Sequence, residues 1–265
     1  MKRHLAIVCL AVGTAVTLAA PADAQRPEPR IFVSVFGGVA GSGNLWSVSR
    51  QPLAVLGAPS VFDTLAVSRR LSTGITAGIT VAYFRTPHFG LSLEGTYLGL
   101  GVDDDCQPFT GTSTANAEVC NDIQARGARS TTAVFSAGPT VRIAPRSVVS
   151  PYARVNVGLS VRSASVIEMA GRFATGGGIA ERVLIEDDNT TTINPTFLGA
   201  VGVAVPISPG YQFRMEFRDH LLRLQRVTGP ADAFAMAPTE GFFKHTLALV
   251  VGLDIILEQR RGRRY

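Results

Sequence analysis

Cysteine, tryptophan and histidine are scarce in this sequence, and long apolar segments are absent beyond its first 24 residues. The 265 residues contain 3 cysteines, 1 tryptophan and 4 histidines, without the spacing of a zinc site. The best later apolar segment, residues 246–257, falls short of the ~20 residues of a membrane-spanning helix and contains Asp254. The sequence therefore predicts no metal site and no cofactor, and any membrane crossing would have to use strands.

The first 24 residues have the features of a secretory signal peptide. A basic start is followed by an apolar run over residues 5–20 and by the small-x-small sequence Ala22-Asp23-Ala24, which predicts export and cleavage. Residues 25–257 would then form one domain, followed by a basic tail, 258–265, in the periplasm. The net charge of +5 is not clustered outside this tail, so no nucleic-acid partner is expected for an exported chain.

Two cysteines remain after removal of the signal peptide, which contains Cys9. Cys106 and Cys120 lie in one polar stretch, residues 101–130. Because exported proteins fold in an oxidising compartment, we expect a local disulfide between them. In the chain-entropy model, closing a loop of this size stabilises the fold by ~3 kcal/mol.

Residues 151–162 alternate strictly between apolar and polar side chains. The apolar set is Ala153, Val155, Val157, Leu159 and Val161, and the intervening set is Tyr152, Arg154, Asn156, Gly158, Ser160 and Arg162. This period of two predicts a β-strand with one aliphatic face and one face that carries two guanidinium groups. The arginine face would meet either bulk water, as in a soluble sandwich, or a polar lumen whose outer wall faces lipid.

The same pattern predicts eight strands, at residues 31–40, 74–84, 91–100, 131–143, 151–162, 192–205, 211–222 and 242–257. Their connections alternate in length. Short ones with proline or glycine are 85–90, 144–150 and 206–210, and long polar ones are 41–73, 101–130, 163–191 and 223–241. This alternation predicts an all-β fold, an eight-stranded antiparallel up-and-down transmembrane β-barrel with short periplasmic turns and long extracellular loops.

The polar faces of these strands carry charges of both signs. The set is Glu94, Arg142, Arg154, Arg162, Arg214, Glu216, Arg218, Lys244 and Asp254. An eight-stranded barrel is just wide enough for its own side chains, so we expect a salt-bridged network that fills the lumen rather than an ion path. Because an unpaired buried arginine is costly, the three carboxylates are the expected counter-ions of Arg154 and Arg214.

The short turns also predict luminal pairs in which a small residue makes room for a large one. The 206–210 turn would place Gly202 opposite Arg214, Ala200 opposite Glu216 and Leu198 opposite Arg218. The 144–150 turn would place Thr140 opposite Arg154 and Gly138 opposite Asn156. Pro139 and Pro195 lie inside predicted strands, where each should mark a bulge or a strand end.

The string Phe213-Arg214-Met215-Glu216-Phe217-Arg218-Asp219-His220 resembles the interior ladders of small outer-membrane β-barrels of the OmpA, OmpX and OmpW kind. With the signal peptide and the alternating connections, the resemblance covers residue 25 to about residue 257. It implies a location in the outer membrane, contact with its lipids and lipopolysaccharide, assembly by the barrel assembly machinery and a monomeric barrel. No peptidoglycan-binding domain is expected.

The predicted function is a structural or surface-interaction role in the envelope, with any extracellular ligand bound by the loops. The alternatives are a narrow pore for small solutes or ions and a lipid-modifying barrel enzyme. From their positions in the alternating strands, His245 and Asp219 both face outward near the extracellular rim, as in lipid A deacylase barrels. Thr246 points the other way, and no serine adjoins His245. The constellation is therefore incomplete, and no enzymatic activity is predicted. Asp103-Asp104-Asp105 contains only part of a calcium-loop pattern and is expected to be solvated.

Overall fold

The chain folds into a closed ring of eight antiparallel strands in the computed structural model, which describes residues 31–109, 111–126, 128–163, 165–187 and 193–257. The predicted signal peptide, 1–24, and the predicted tail, 258–265, lie outside the described residues. The ring closes because the first strand pairs with two neighbours along its whole length, from Ile31↔Leu257 on one side and from Ile31↔Tyr83 on the other. The predicted eight-stranded up-and-down barrel is thus confirmed.

Eleven strands and one helix make up the described chain. In chain order they are β1 (Ile31–Gly41), β2 (Asn44–Val55), β3 (Ala58–Phe84), β4 (Phe89–Pro108), α1 (Thr114–Ala125), β5 (Ala128–Arg142), β6 (Ser150–Arg162), β7 (Met169–Thr175), β8 (Gly178–Ile185), β9 (Ile193–Ser208), β10 (Tyr211–Val227) and β11 (Thr239–Leu257). Around the ring the order is β1, β3, β4, β5, β6, β9, β10 and β11. Each predicted strand overlaps one of these eight.

The outer wall of the ring is apolar on every strand. One exposed side chain from each strand illustrates this belt: Val35, Ile79, Leu93, Phe135, Val157, Val201, Phe217 and Leu249. The residues between them point inward and are mostly polar, so the alternation of the sequence maps onto two different surroundings. A closed ring has no second sheet to cover such a belt, and the belt therefore faces the acyl chains of a membrane. Within the described ranges, no helix is long and apolar enough to cross a membrane.

The register between β9 and β10 differs from the predicted one by two residues. Arg214 pairs with Ala204, Glu216 with Gly202 and Arg218 with Ala200. The reason is that β9 runs on to Ser208, so the turn is shorter than expected, and Gly210 at φ 89° allows the chain to reverse. Of the two pairs predicted at the 144–150 turn, Thr140 with Arg154 is present in the β5–β6 ladder. Gly138 also faces Asn156, since a Cβ atom at Gly138 would lie 2.8 Å from the Asn156 Cα atom.

The two prolines inside barrel strands behave differently from each other. Pro195 is the third residue of β9, close to a strand end as predicted. Pro139 lies within β5, and its pairing with Leu91 of β4 is part of a continuous register. The expected bulge at Pro139 is therefore absent from the β4–β5 ladder, although the pairs between β5 and β6 omit this position.

The described residues of the long connections fold into one structure, which we call the outer cap: residues 44–72, 101–109, 111–126, 163, 165–187 and 223–238. It contains the β2–β3 hairpin, helix α1 and the β7–β8 hairpin. These elements share a hydrophobic core that includes Trp46, Leu65, Val119, Ile167 and Leu184. The polar composition of these connections predicts only loops, so the outer cap was not expected from the sequence.

Candidate functional site: the luminal charge network and the outer cap

Glu94 of β4 is one centre of an ion-pair network in the lumen. Its Oε2 atom lies 2.6 Å from Arg154 Nη2, and its Oε1 atom lies 3.1 Å from Arg218 Nη1. Thr80 and Thr96 donate their hydroxyl hydrogens to the same carboxylate at 2.8 and 2.7 Å. Side-chain exposure is 1% or less for Glu94, Arg154 and Arg218, so solvent does not screen these contacts.

Glu216 of β10 is the second centre. Its Oε1 atom accepts from Arg154 Nη2 at 2.6 Å and lies 2.8 Å from Arg218 Nε, and its Oε2 atom accepts from the hydroxyl of Tyr152 at 2.7 Å. Tyr152 fits here because Gly202 faces it, since a Cβ atom at Gly202 would lie 2.7 Å from the Tyr152 hydroxyl. A small residue thus makes room for a large one, as expected in a narrow barrel. The small residue is Gly202, which was predicted to lie opposite Arg214.

The network bridges the full width of the barrel. β4 and β10 are third and seventh around the ring of eight, so the contact between Glu94 and Arg218 joins opposite walls. Arg214 extends the network toward the turn end of the barrel, with its Nε atom 3.8 Å from Glu216 and 3.5 Å from Asp254. Side chains from four strands therefore meet across the lumen, and the middle of the barrel is filled.

Six of the nine proposed luminal charges lie in this network: Glu94, Arg154, Arg214, Glu216, Arg218 and Asp254. Arg142 lies apart at the turn end, with its guanidinium 4.1 Å from the ring centre of Phe32 and 4.3 Å from that of Phe84. At the opposite end, Lys244 donates to the Asn44 carbonyl oxygen at 2.7 Å, and Arg162 is half-buried at the end of β6. These two residues belong to the rim rather than to the network.

Apolar side chains close the lumen on the extracellular side of the network. Leu98, Val134 and Leu222 are buried there and belong to the same hydrophobic cluster as the outer cap. His220 is fully buried and pairs with Thr246 across β10 and β11. Neither its ring nitrogens nor the Thr246 hydroxyl has a hydrogen-bond partner among the described residues. His220 shares the luminal phase of Arg214, Glu216 and Arg218 in β10.

The outer cap is held together by a polar junction around Asn116 of α1. The Asn116 side-chain amide donates to the carbonyl oxygen of Ala54 and to the Asp63 carboxylate, at 3.2 and 2.8 Å. Asp63 also accepts from the backbone N–H and hydroxyl of Ser113, the residue before α1, at 2.9 and 2.6 Å. Burial by itself raises the pKa of Asp63, but these hydrogen bonds and the charge of Arg182 outweigh it and hold that pKa below its ordinary value.

Helix α1 also covers the edge of the β7–β8 hairpin. The backbone N–H groups of Arg172 and Ala174 on β7 donate to Asp122 and Glu118 of α1, at 2.7 and 3.0 Å. The helix approaches so closely that a Cβ atom at Gly171 would lie 2.5 Å from the carbonyl oxygen of Val119. The two acidic side chains, one helical turn apart, thus satisfy the amides of an otherwise open strand edge.

The predicted disulfide between Cys106 and Cys120 is present. It joins the end of β4 to the middle of α1, with a Cα–Cα distance of 5.1 Å, and both residues are fully buried in the cap core. Nearby, Asp103 and Asp104 pair with Arg70 and Arg69 of β3 at 3.2 and 2.5 Å. The acidic run therefore joins β3 to β4 in the outer cap instead of being simply solvated.

The proposed rim pair Asp219 and His245 is in contact. His245 Nδ1 lies 2.7 Å from Asp219 Oδ2, and the exposed fraction of the two side chains is 66% and 32% respectively. On the extracellular side of the pair, the rings of Phe197 and Phe243 pack with their centres 5.7 Å apart. The pair therefore faces lipid at the edge of the apolar belt.

Sequence reasoning missed Tyr152, Thr80, Asp63 and Asn116. Parity placed Tyr152 and Thr80 on the luminal face, and their hydroxyl groups could have been included as donors to the carboxylates. No signal in the sequence pointed to Asp63 or Asn116, because their contacts join segments that are 50 or more residues apart.

Comparison with known proteins gives similarity of fold. No protein-family model and no curated protein matches the sequence. Among solved structures, OprG from Pseudomonas aeruginosa is similar over 87% of this chain and 98% of its own, with 10% identity and a TM-score of 0.47. AlkL is similar over 91% and 97%, with 12% identity and a TM-score of 0.44. The protease OmpT from Escherichia coli is similar over 89% and 99%, with 8% identity and a TM-score of 0.40.

These identities are too low to transfer the role of any residue. The assignment rests instead on the closed ring of eight strands, its apolar outer belt and its polar, filled interior. Single-chain barrels of this kind span the outer membrane of bacteria. The chain is therefore a small outer-membrane β-barrel protein, located in the cell outer membrane.

Proposed function

We propose that this protein is a closed barrel that holds a folded outer cap at the cell surface, in a structural or surface-interaction role. The observation that carries the proposal is the filled lumen, in which Glu94, Arg154, Glu216 and Arg218 meet with side-chain exposure of 1% or less. A passage for solutes would need these ion pairs to separate in a medium where an unpaired charge is costly. The apolar residues above them form a second barrier.

The outer cap supports the surface part of the proposal. It has a hydrophobic core that is continuous with the apolar residues of the lumen, a disulfide and a buried polar junction, so it presents a defined shape rather than flexible loops. At its surface, Phe234 is 80% exposed in the 228–238 connection, and Ile179 is 77% exposed in the β7–β8 hairpin. The apolar belt would contact outer-membrane lipids and lipopolysaccharide, and a single copy of the chain completes the ring without a partner strand.

Recordings in planar lipid bilayers test closure. We expect the purified barrel to give no conductance steps in potassium chloride, whereas a porin added to the same bilayer gives them. The variant Glu94→Ala tests whether the network alone closes the lumen. We expect no conductance steps from this variant, because the apolar residues above the network stay in place. Reproducible steps from the native protein would refute the closed-barrel proposal and favour the narrow pore.

Complementation of a deletion strain separates the structural role from the interaction role. We expect the native chain to restore the detergent resistance of the envelope. If a variant with β7 and β8 replaced by a short glycine-serine turn also restores it, the barrel itself carries the structural role. If that variant is exported and folded but fails, the outer cap is required. Unchanged envelope properties and unchanged surface binding on deletion would remove both roles.

The contact between Asp219 and His245 favours one second candidate, a lipid-modifying enzyme. An imidazole held by a carboxylate is the usual general base for ester hydrolysis, and this pair faces lipid. The test is hydrolysis of phospholipid or lipid A by the purified protein. Turnover that His245→Ala abolishes and His88→Ala retains would establish the enzyme, and no turnover by the native protein would exclude it for these substrates.

A further inference from the structure

The apolar outer wall continues past the strand ends into the short turns. Val148 and Val149, in the turn between β5 and β6, are 74% and 47% exposed, although a turn in free water has no reason to display two valines. At the same end of the barrel the aromatic side chains of Tyr83, Phe89 and Tyr211 are exposed on the outer wall. Aromatic residues of outer-membrane barrels form girdles at the membrane interfaces. The short turns therefore lie at the level of the lipid headgroups of the periplasmic leaflet.

Two of these turns are neighbours and form one surface, which we call the turn surface: residues 85–89 and 143–149. They connect β3 to β4 and β5 to β6, and β4 lies beside β5 in the ring. The backbone N–H of Arg142 donates to the carbonyl oxygen of His88 at 2.8 Å, and His88 Nδ1 lies 3.0 Å from the carbonyl oxygen of Arg142. These contacts hold the first turn against the strand that leads into the second.

The turn surface carries basic residues and no acidic ones. It contains Arg85 and Arg146, both exposed, and neither aspartate nor glutamate. Among the described residues, no carboxylate forms an ion pair with Arg85. The described part of the outer cap, at the opposite end, has 11 acidic and 8 basic residues. The charge of the molecule is thus polarised along the barrel axis, with the positive end at the periplasmic leaflet.

We propose that the turn surface binds the headgroup of an anionic phospholipid in the periplasmic leaflet. Arg85 comes two residues after Tyr83 in the chain, just beyond the aromatic girdle, where the lipid phosphates lie. A guanidinium group donates paired hydrogen bonds to phosphate oxygens, and Arg146 adds a second positive charge. Val148 and Val149 contact the apolar part of the same leaflet.

The combination of charge and apolar side chains favours lipid over the cell wall, the other anionic material on this side of the membrane. A polysaccharide with carboxylate groups would use the arginines but would leave the two valines exposed to water. The turn surface is also continuous with the apolar belt, which already faces acyl chains. The inference does not depend on the surface role of the outer cap or on the luminal network.

Native mass spectrometry tests the preference for anionic lipid. The native barrel is released from micelles that contain equal amounts of phosphatidylglycerol and phosphatidylcholine with the same acyl chains. An arginine near an anionic membrane surface contributes a factor of about five to binding. We therefore expect the first bound lipid to be phosphatidylglycerol, with a preference of about fivefold or more. Equal binding of the two lipids would overturn the proposal.

Matched variants locate the site. The double variant Arg85→Gln, Arg146→Gln should lower the preference about fivefold or more, and Arg85→Gln alone should lower it by a smaller factor. The control Arg50→Gln, Arg223→Gln also removes two exposed charges, but at the extracellular end, and should keep the native preference. A preference that survives in the first double variant, or that both double variants lose equally, would refute this site.

Sedimentation with purified peptidoglycan separates lipid from cell wall. We expect the native protein in non-ionic detergent to sediment with peptidoglycan no more than the variant Arg85→Gln, Arg146→Gln does. Sedimentation of the native protein that this double variant abolishes would assign the turn surface to the cell wall and overturn the lipid proposal.

Discussion

At the scale of single residues, Glu216 has the largest number of charged contacts in the lumen. Arg154, Arg214 and Arg218 lie within 4 Å of its carboxylate, and Tyr152 donates to it. Replacing Glu216 with alanine would leave three buried guanidinium groups to share Glu94 and Asp254. Removing one partner of a buried ion pair costs about 3–5 kcal/mol, so Glu216→Ala should lower the unfolding temperature of the barrel in detergent by several degrees.

The matched control for this variant is Glu240→Ala. Glu240 pairs with Arg226 at 2.9 Å, but the two side chains are 58% and 44% exposed. Exposed pairs contribute about 0–1 kcal/mol, so this variant should unfold close to the native temperature. If Glu216→Ala and Glu240→Ala unfold at the same temperature, Glu216 has no role in a stabilising network.

Asp63 predicts a pH dependence of the outer cap. Its pKa is lower in the folded protein than in the unfolded chain, so the stabilisation is complete above the unfolded value of about 3.9. It is lost as the pH falls through the lower, folded value. Pepsin cleavage within residues 101–126 should therefore accelerate below about pH 4. In Asp63→Asn, cleavage at pH 5 should be faster than in the native protein. Once the rates are corrected for the pH dependence of pepsin itself, cleavage of this variant should also change less as the pH falls.

Asp105→Asn provides the comparison for that measurement. Its carboxylate accepts hydrogen bonds from the uncharged side chains of Gln107 and Gln124 in the same part of the outer cap. Cleavage of this variant should follow the native pH profile. If Asp63→Asn and the native protein share one profile, the junction at Asp63 does not stabilise the outer cap.

Parity in the sequence predicts which residues face the lumen but not how far along the barrel they lie. All nine proposed luminal charges were chosen on parity, and three of them, Arg142, Arg162 and Lys244, lie near the two ends. Depth depends on register, and register depends on where each turn begins. The turn after β9 is shorter than the sequence suggested, and this moved three predicted pairs by two residues.

At the scale of elements, the barrel strands were predictable and the outer cap was not. A strand with lipid on one side and a polar lumen on the other needs strict alternation, and β6 shows it over its full length. Elements of the outer cap lie between a shared core and water, with only short stretches of pattern. Ser113 stands at the N-cap position of helix α1, but its side chain caps no N–H of the helix. Its hydroxyl and its own N–H donate instead to Asp63, far away in the sequence.

The disulfide fixes α1 to the end of β4, and its loss should loosen the outer cap while leaving the barrel intact. Closing a loop with a sequence separation of 14 contributes ~3 kcal/mol in the chain-entropy model. In the double variant Cys106→Ser, Cys120→Ser, we expect trypsin to cleave after Arg126, the residue that follows α1, faster than in the native protein. The barrel strands should remain protected because none of their ladder hydrogen bonds involves the sulfur atoms.

Reduction supplies the control for the disulfide variant. A thiol reductant that can reach the buried sulfurs should make the native protein as sensitive to trypsin as the double variant, and it should not change the double variant further. Unaltered cleavage in the double variant would show that the packing of Val119 and Ile123 holds the helix without the disulfide.

At the scale of the whole molecule, the fold separates three surroundings: acyl chains outside the wall, a filled polar lumen inside it, and water around the outer cap. The apolar residues of the belt are exposed in the isolated chain, whereas the luminal arginines are buried. This is the reverse of a soluble sandwich, in which Val155, Val157 and Leu159 would be covered and Arg154 would face water. The surroundings of the wall are therefore the property on which every other assignment depends.

A charge placed on the wall tests these surroundings. Val157 lies in the middle of β6 and is 58% exposed, while Val148 in the short turn before β6 is 74% exposed. Arginine on the lipid face near the bilayer midplane costs about 2–4 kcal/mol, and the cost falls to about 0–1 kcal/mol near the interface. Val157→Arg should therefore unfold at lower urea concentration than Val148→Arg in phospholipid vesicles, as read from the different migration of folded and boiled protein on gels. If both variants unfold at the native urea concentration, the wall does not face acyl chains.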